Sequence, residues 1–334
     1  MNSYKILKRQ VFSKDNYAIV PIRMQDRFDI MQWRNEQMYH LRQNKPLTED
    51  DQNLYFERVV AKLFEQDQPE QILFSYLENE KCIGYGGLVH INWIDKHAEI
   101  SFIMATKLEA NHFEQHWQTY LSLIEQVAFK DLGLHKIYTY AFDLRPHLYK
   151  AFEASGFKKE AVLKEHGRFN DTFIDVILHS KFSPYYLRNA SPEDTLSIYE
   201  WANDPATRQN SFVYDKVKLE EHKNWFKTKL KQPEADYYMG FYQNIKSGFV
   251  RFDMEDEISV IGINISPEQR GKGLSNVFLN LGIKLHLAKY KQQQIHAYIK
   301  PENEASKKAF TKAGFRFFSK EIIKNQNALL YKYE

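Results

Sequence analysis

Ser266-Pro267-Glu268-Gln269-Arg270-Gly271-Lys272-Gly273-Leu274-Ser275 is the stretch of this 334-residue chain best equipped for chemistry. Gly271 and Gly273 let the backbone come close to a bound molecule, because no Cβ stands in the way. The β-branched residues over 257–266 predict a strand before the loop, and a helix is expected from about Leu274. The first N–H groups of such a helix have no partner within it and sit at the positive end of its dipole. Arg270 and Lys272 add positive charge. The chemistry that fits is the cradling of a pyrophosphate. A Gly-x-Gly turn alone would say little, but a second segment, Lys300-Pro301-Glu302-Asn303-Glu304-Ala305-Ser306, gives it context about thirty residues on.

The elements that must position these residues are legible because the chain repeats itself. Trp33-Arg34-Asn35 recurs as Trp201-Ala202-Asn203, and Arg42-Gln43-Asn44 as Arg208-Gln209-Asn210. Glu99-Ile100-Ser101 recurs as Glu257-Ile258-Ser259, and Gly156-Phe157 as Gly314-Phe315; in both halves the Glu and the Phe of these last matches lie 58 residues apart. This predicts two tandem domains, 1–183 and 184–334, parted at Ser183-Pro184. The second half reads as a strand at 185–188 and a helix announced by Ser191-Pro192-Glu193-Asp194. A second helix follows at 220–230, then strands at 237–242, 248–252 and 257–266. A helix from Leu274, a strand at 295–299, a helix at 304–313 and a last strand near 328–333 complete it. The fold class is α/β (α+β), with one mixed central sheet flanked by helices in each half.

At Asn303-x-x-Ser306-x-x-x-Phe310-x-x-x-Gly314-Phe315 the chain resembles the GNAT N-acetyltransferases, whose pattern is Asn-x-x-Ser/Ala-x-x-x-Tyr-x-x-x-Gly-Phe. The earlier loop resembles their Arg/Gln-x-x-Gly-x-Gly/Ala signature, matched by Arg270 and Gly273 with Ser275 in the last place. The resemblance covers the second half and implies acetyl-CoA as cofactor. It implies that Arg270, Gly271, Lys272, Gly273, Leu274 and Ser275 bind pyrophosphate, and that Ile263, Asn264 and Ile265 pair with the pantetheine arm. It further implies that Asn303, Ser306 and Phe310 line the arm. Phe310 replaces the Tyr often proposed as acid, so that role is absent here. Glu257 is the expected base, with Asp253 second, although Glu257 also reads as a surface residue in an acidic run.

Four further segments resemble the GNAT enzymes that acetylate nucleotide-linked aminosugars, as in the pseudaminic acid pathway. They are Trp201-Ala202-Asn203-Asp204-Pro205, Arg208-Gln209-Asn210-Ser211-Phe212, Glu221-His222-Lys223-Asn224-Trp225-Phe226 and Val250-Arg251-Phe252-Asp253. Asn203, Arg208, Asn210 and Arg251 would meet phosphate and sugar hydroxyls. Trp201, Trp225 and Phe226 read equally as core, and His222 as a solvated helix residue. In the first half the loop Ala105-Thr106-Lys107-Leu108-Glu109-Ala110-Asn111-His112-Phe113 lacks glycine. Glu109 would repel phosphate, Arg145 stands in the place of Asn303, and Phe152 again replaces the Tyr. That half is expected to be a GNAT-like domain with a degenerate acetyl-CoA site.

With 46 basic and 43 acidic residues the net charge is +3, which supports no claim of nucleic-acid binding. The single cysteine, Cys82, excludes an internal disulfide and any Cys-cluster metal site. No stretch approaches about 20 apolar residues, so no membrane span is expected, and a cytoplasmic protein is the default. The expected partner is a small-molecule amine, with a nucleotide sugar the leading candidate. A protein N-terminus, another small amine or an antibiotic stays open as acceptor, as does a non-catalytic tandem module.

Overall fold

The computed structural model describes residues 2–232, 234 and 236–334, and the chain divides into two compact units, Met1–Ser183 and Pro184–Glu334. The first unit is built on strands β1 (Phe12–Lys14), β2 (Tyr17–Pro21), β3 (Ile72–Glu78), β4 (Lys81–Asn92), β5 (His97–Met104), β6 (Lys136–Phe142), β7 (Lys158–Phe169) and β8 (Thr172–Phe182). They form one sheet in the order β1-β2-β3-β4-β5-β6-β8-β7. Between β2 and β3 lie α1 (Arg27–Glu36) and α2 (Glu49–Tyr55), the latter passing through a π-helical turn into α3 (Ala61–Leu63). A single turn, α4 (Thr106–Glu109), and α5 (Phe113–Glu125) follow β5, and α6 (Pro146–Ala154) follows β6.

The second unit has strands β9 (Tyr185–Asn189), β10 (Asp236–Tyr242), β11 (Ile245–Glu255), β12 (Ile258–Ile265), β13 (Gln294–Ile299), β14 (Phe315–Ile323) and β15 (Gln326–Tyr333). Their sheet order is β14-β15-β13-β12-β11-β10-β9. Helices α7 (Thr195–Asn203), α8 (Pro205–Gln209) and α9 (Leu219–Lys229) lie between β9 and β10. Helix α10 (Leu274–Lys289) follows β12 and α11 (Glu304–Lys312) follows β13. On β12, Ile261 and Ile265 belong to the core packed on α10 and α11, with Ile263 against its edge, whereas Asn264 meets Thr207 of α8. The alternation places the α10 side and the α8 side of this strand on opposite faces. The single last strand expected from sequence is in fact the hairpin β14–β15. A bulge between Phe317 and Ser319 breaks the two-residue alternation in β14, and Phe318 and Ile322 lie exposed, so the pattern was obscured.

Local chemistry repeats in both units. A buried aspartate opens the first helix in each. Asp26 takes Arg23 and the Ser75 hydroxyl at 2.7 and 2.6 Å, and Asp194 takes Arg188 and Lys246, each at 2.8 Å. Gly156 and Gly314, both left-handed, stop α6 and α11 just before the next strand. Asn35 donates to the Leu47 carbonyl and accepts from its N–H, at 2.9 and 2.8 Å. Asn203 clasps Val217 in the same way at 3.1 and 2.9 Å, so its amide is spent on the chain itself rather than turned to a substrate.

Each sheet has one parallel junction, and both are short. β5 and β6 pair through His97↔Lys136, Ala98↔Ile137 and Glu99↔Tyr138; β12 and β13 pair through Ile258↔Gln294, Ser259↔Ile295 and Val260↔His296. Beyond these three pairs the strands part and leave a wedge. The register makes Val260, not Glu257, the counterpart of Glu99. Glu257 precedes β12 in the turn after β11, and its carbonyl accepts from Gln294. The Glu-Ile-Ser match between the halves is therefore three residues out of register, while the Gly-Phe match holds.

Asn35→Ala and Asn203→Ala each strand a backbone N–H and carbonyl that face one another across a loop. Each substitution is expected to lower stability by about 1–3 kcal/mol in urea denaturation. A change within error for both would show that these clasps carry no stability.

Candidate active site

The glycine loop has the form the sequence suggests. After β12 a 3-10 turn, Pro267–Gln269, leads to Arg270. Gly271 and Gly273 hold φ of +79° and +73°, and a Cβ at either would meet nothing within 4 Å, so the backbone there faces open space. Gly273 caps α10 with no side-chain hydrogen bond, which leaves the first N–H groups of a 16-residue helix unsatisfied by side chains. Arg270 is less free than expected. Its Nη2 donates to Asp204 at 2.7 Å and to the Thr207 hydroxyl at 3.0 Å. The Arg270 bond holds the Asp204 carboxyl below its usual range, and the same carboxylate accepts from Thr207 N at the start of α8. Arg270 thus ties the loop to α8.

A cavity of about 840 Å³ opens beside this loop and runs into the wedge between β12 and β13. Ile263, Asn264, Ile265, Arg270, Gly271, Gly273, Leu274, Ser275, Asn303, Ser306 and Phe310 all line it, as do Arg208, Asn210 and Arg251. Asn303 caps α11 by accepting from Ser306 N at 3.0 Å, which leaves its amide NH2 to donate. Phe310 is buried edge-on against Phe315 and carries no proton. Arg251 lies over Gly262, where a Cβ would come within 2.9 Å of its Nε; the glycine makes room for the guanidinium at the mouth of the wedge.

Four expected residues fall outside the cavity. Lys272 is exposed and donates to Gln269 at 2.7 Å. Asn203 is the loop clasp already described. Glu257, the expected base, is exposed on the β11–β12 turn, while the cavity wall on β12 begins at Ile261. The residues between span roughly 13 Å of strand, too far for direct proton transfer. Asp253 is bound by the Tyr237 hydroxyl, by Lys229 at 3.1 Å and by Arg251 at 3.5 Å. Burial pushes its pKa up, but Arg251, Tyr237 and Lys229 outweigh that and hold it below the usual carboxylate range. A carboxylate held so firmly ionised is a weak base.

Sequence reasoning missed His222, Tyr298 and Lys300, which all line the cavity, and Glu221 at its edge. His222 is buried, not solvated: it shares the inner stripe of α9 with Phe226, four residues on. That spacing was the available signal. Burial lowers its pKa, and Nε2 has no partner. Burial, then Glu255 and Glu321, raise the Tyr298 phenol. Trp201 and Phe226 are core, whereas Trp225 faces the cavity.

The first unit shows the same wedge closed. Its helix starts align Phe113 with Leu274, which sets Glu109 against Arg270 and His112 against Gly273. Glu109 bonds Arg145, the N-cap of α6, at 3.0 Å, so an internal carboxylate meets the cation that bridges loop and helix. Phe102, where the second unit has Ile263, stacks on Tyr120 at 3.9 Å and meets Trp117 edge-on at 4.9 Å. The remaining cavity is about 190 Å³. On its wall Glu99 takes Arg42 and His90, and burial, with Arg145 nearby, pulls His40 down to about 3.

Two family models, each described as an acetyltransferase (GNAT) domain, match the chain, one over residues 19–178 and one over residues 185–316. Together they take in most of the sequence, and the chain belongs to the GNAT acetyltransferases as two such domains in tandem. It is an N-acetyltransferase that draws its acetyl group from acetyl-CoA. Among solved structures it is similar to the spermidine N-acetyltransferase of Vibrio cholerae in complex with CoA and spermine. Identity is 20%, over 51% of this chain and 97% of that one, with a TM-score of 0.46. It is also similar to AAC(6')-Ib in complex with ribostamycin and coenzyme A, at 16% identity over 45% of this chain and 92% of that one, with a TM-score of 0.41. No curated protein sequence matches the chain.

Glu257→Gln is expected to leave kcat/KM within about twofold of wild type and stability unchanged. Asp253→Asn, which loosens three partners, is expected to cost about 1–3 kcal/mol in urea denaturation. A hundredfold rate loss in the Glu257 variant would restore that residue as the base.

Proposed function

We propose that the second unit transfers the acetyl group to the amine of a nucleotide-linked amino-deoxysugar, and that the first unit leaves acetyl-CoA unbound. The observation that carries the acceptor reading is the charge of the cavity. Arg208, Arg251 and Lys300 line it, and among the described residues Glu221 is the one carboxylate on its wall. A polyamine such as spermine would meet repulsion there, whereas a phosphate linked to a sugar would meet donors. Trp225, Phe249, Phe212 and Tyr298 supply apolar faces for a sugar or base.

The cofactor half fits acetyl-CoA. The open backbone at Gly271 and Gly273 and the uncapped start of α10 suit a pyrophosphate. The edge of β12 from Ile261 to Ile265 lacks a strand partner on the β13 side, so it can pair with the pantetheine amides as an added strand would. Asn303 holds the arm with its free NH2, and Ser306 and Phe310 form its wall. When bound, acetyl-CoA supplies a thioester whose acetyl group passes to the amine while the C–S bond breaks and sulfur leaves as thiolate. A backbone N–H of the splayed β12 would polarise the carbonyl. Phe310 offers no proton, so the departing sulfur would depend on water for one. The amine needs little help. With an α-amino-like pKa of about 8 a fair share is already free base near neutrality, and a neighbouring cation, Arg251, favours that neutral form. Water, with Glu221 at the mouth, carries the proton away.

Calorimetry is expected to give one acetyl-CoA per chain. Gly273→Glu, which sets a carboxylate beside the phosphates, is expected to weaken binding at least about thirtyfold while the chain stays folded. Two sites per chain would overturn the reading of the first unit. In a turnover screen, nucleotide-linked amino-deoxysugars are expected to exceed spermidine and simple amines by about a hundredfold or more in kcat/KM. The reverse order would sink the acceptor assignment.

A further inference from the structure

Two cations on the cavity wall have no carboxylate partner among the described residues. Lys300 is 2% exposed; its Nζ donates to the Gln209 carbonyl at 3.0 Å and sits 3.8 Å from the centre of the Tyr214 ring. Arg208 donates from Nη1 to the carbonyls of Val213 and Asp215 at 3.3 and 3.2 Å, while its Nε is buried with no hydrogen-bond partner. Burial lowers the Arg208 pKa, a sign that its charge is poorly compensated. Both side chains meet the same loop: Lys300 holds the Gln209 carbonyl and the Tyr214 ring, and Arg208 the carbonyls on either side of Tyr214. The other cavity-lining cations differ: Arg270 has Asp204 and Arg251 has Asp253. A buried ammonium that meets only a carbonyl and a ring is costly unless a ligand completes it. In the first unit the parallel register puts Phe142 at the place of Lys300, and the cavity there is small.

We infer that Lys300 and Arg208 form a subsite for a phosphoryl group of the acceptor, under the loop from Gln209 to Asp215. The inference rests on the acetyltransfer reading of this cavity and adds where the acceptor is anchored. Phosphoryl fits better than carboxylate on geometry. Arg208 spends Nη1 on loop carbonyls and keeps Nε and Nη2 for an anion. That pair alone would use both oxygens of a planar carboxylate, whereas a tetrahedral phosphoryl group has a further oxygen for Lys300. Lys300 keeps two N–H donors beyond the one given to Gln209.

The test uses full-length protein saturated with CoA, so that the glycine loop is filled, and titrates it with UDP, uridine and glucuronate by calorimetry. UDP is expected to bind at least about tenfold tighter than uridine, and glucuronate no tighter than uridine. Lys300→Met and Arg208→Gln are each expected to erase most of the preference for UDP over uridine. CoA titration of each variant checks its fold, and Lys300→Gln replaces Lys300→Met if the latter fails. UDP binding no tighter than uridine, or a preference untouched by both substitutions, overturns the inference. Glucuronate binding as tightly as UDP gives the subsite to a carboxylate and overturns the phosphoryl assignment. Failure of wild type to bind CoA removes the acetyltransfer reading and this inference with it, whereas CoA binding without UDP preference removes this inference alone.

Discussion

The structure of each unit turns on how briefly two parallel strands stay paired. Three residue pairs join β12 to β13, and then the strands separate. Backbone polar groups past that point have lost their neighbour, and an unpaired amide inside a protein is costly unless something meets it. Antiparallel pairing on the far sides, β11 with β12 and β15 with β13, keeps both strands fixed, so the opening cannot collapse by bending. The wedge is a built-in vacancy with unpaired strand edge on its wall, and the glycine loop and α11 are hung on its two edges.

The first unit shows what happens when the same opening is filled from within. Phe102 and Trp117 crowd it with rings set edge to face, Tyr120 stacks behind Phe102, and Glu109 and Arg145 close loop to helix with a salt bridge. No strand had to move. Internal contacts stand where the second unit has open cavity, and the sheet keeps its order around the junction. The aspartates at the helix starts and the asparagine clasps are alike in both units, because they serve the scaffold and not the opening.

Much of this was legible from residue types. Gly271 and Gly273 are informative because only a loop of positive φ and open backbone needs them, and Asn303 because its side chain caps the next helix. Glu109 and the missing glycines also set the first unit's loop apart from the second's in the sequence. Glu257 misled because identity of type hid a shift of register: Glu-Ile-Ser recurs in both halves, but one copy lies within a strand and the other begins in a turn. Strand register is set by pairing partners far along the chain, which a local match does not contain. His222 and Lys300 were overlooked because polar residues on a helix and after a strand read as surface. Their burial comes from the loop 209–217 and the aromatic stripe of α9, which fold over them.

Arg270 belongs to two structures at once. Its guanidinium reaches from the glycine loop to Asp204 and Thr207, which hold the first turn of α8. A phosphate drawing on that side chain competes with the cap of α8, and a ligand that shifts α8 alters how Arg270 is presented to the loop. The affinities of the two halves of the cavity are therefore not independent. By thermodynamic linkage, whatever factor one occupant imposes on the other is returned in equal measure. A single shared arginine is enough to join the loop to α8, without any movement of a domain.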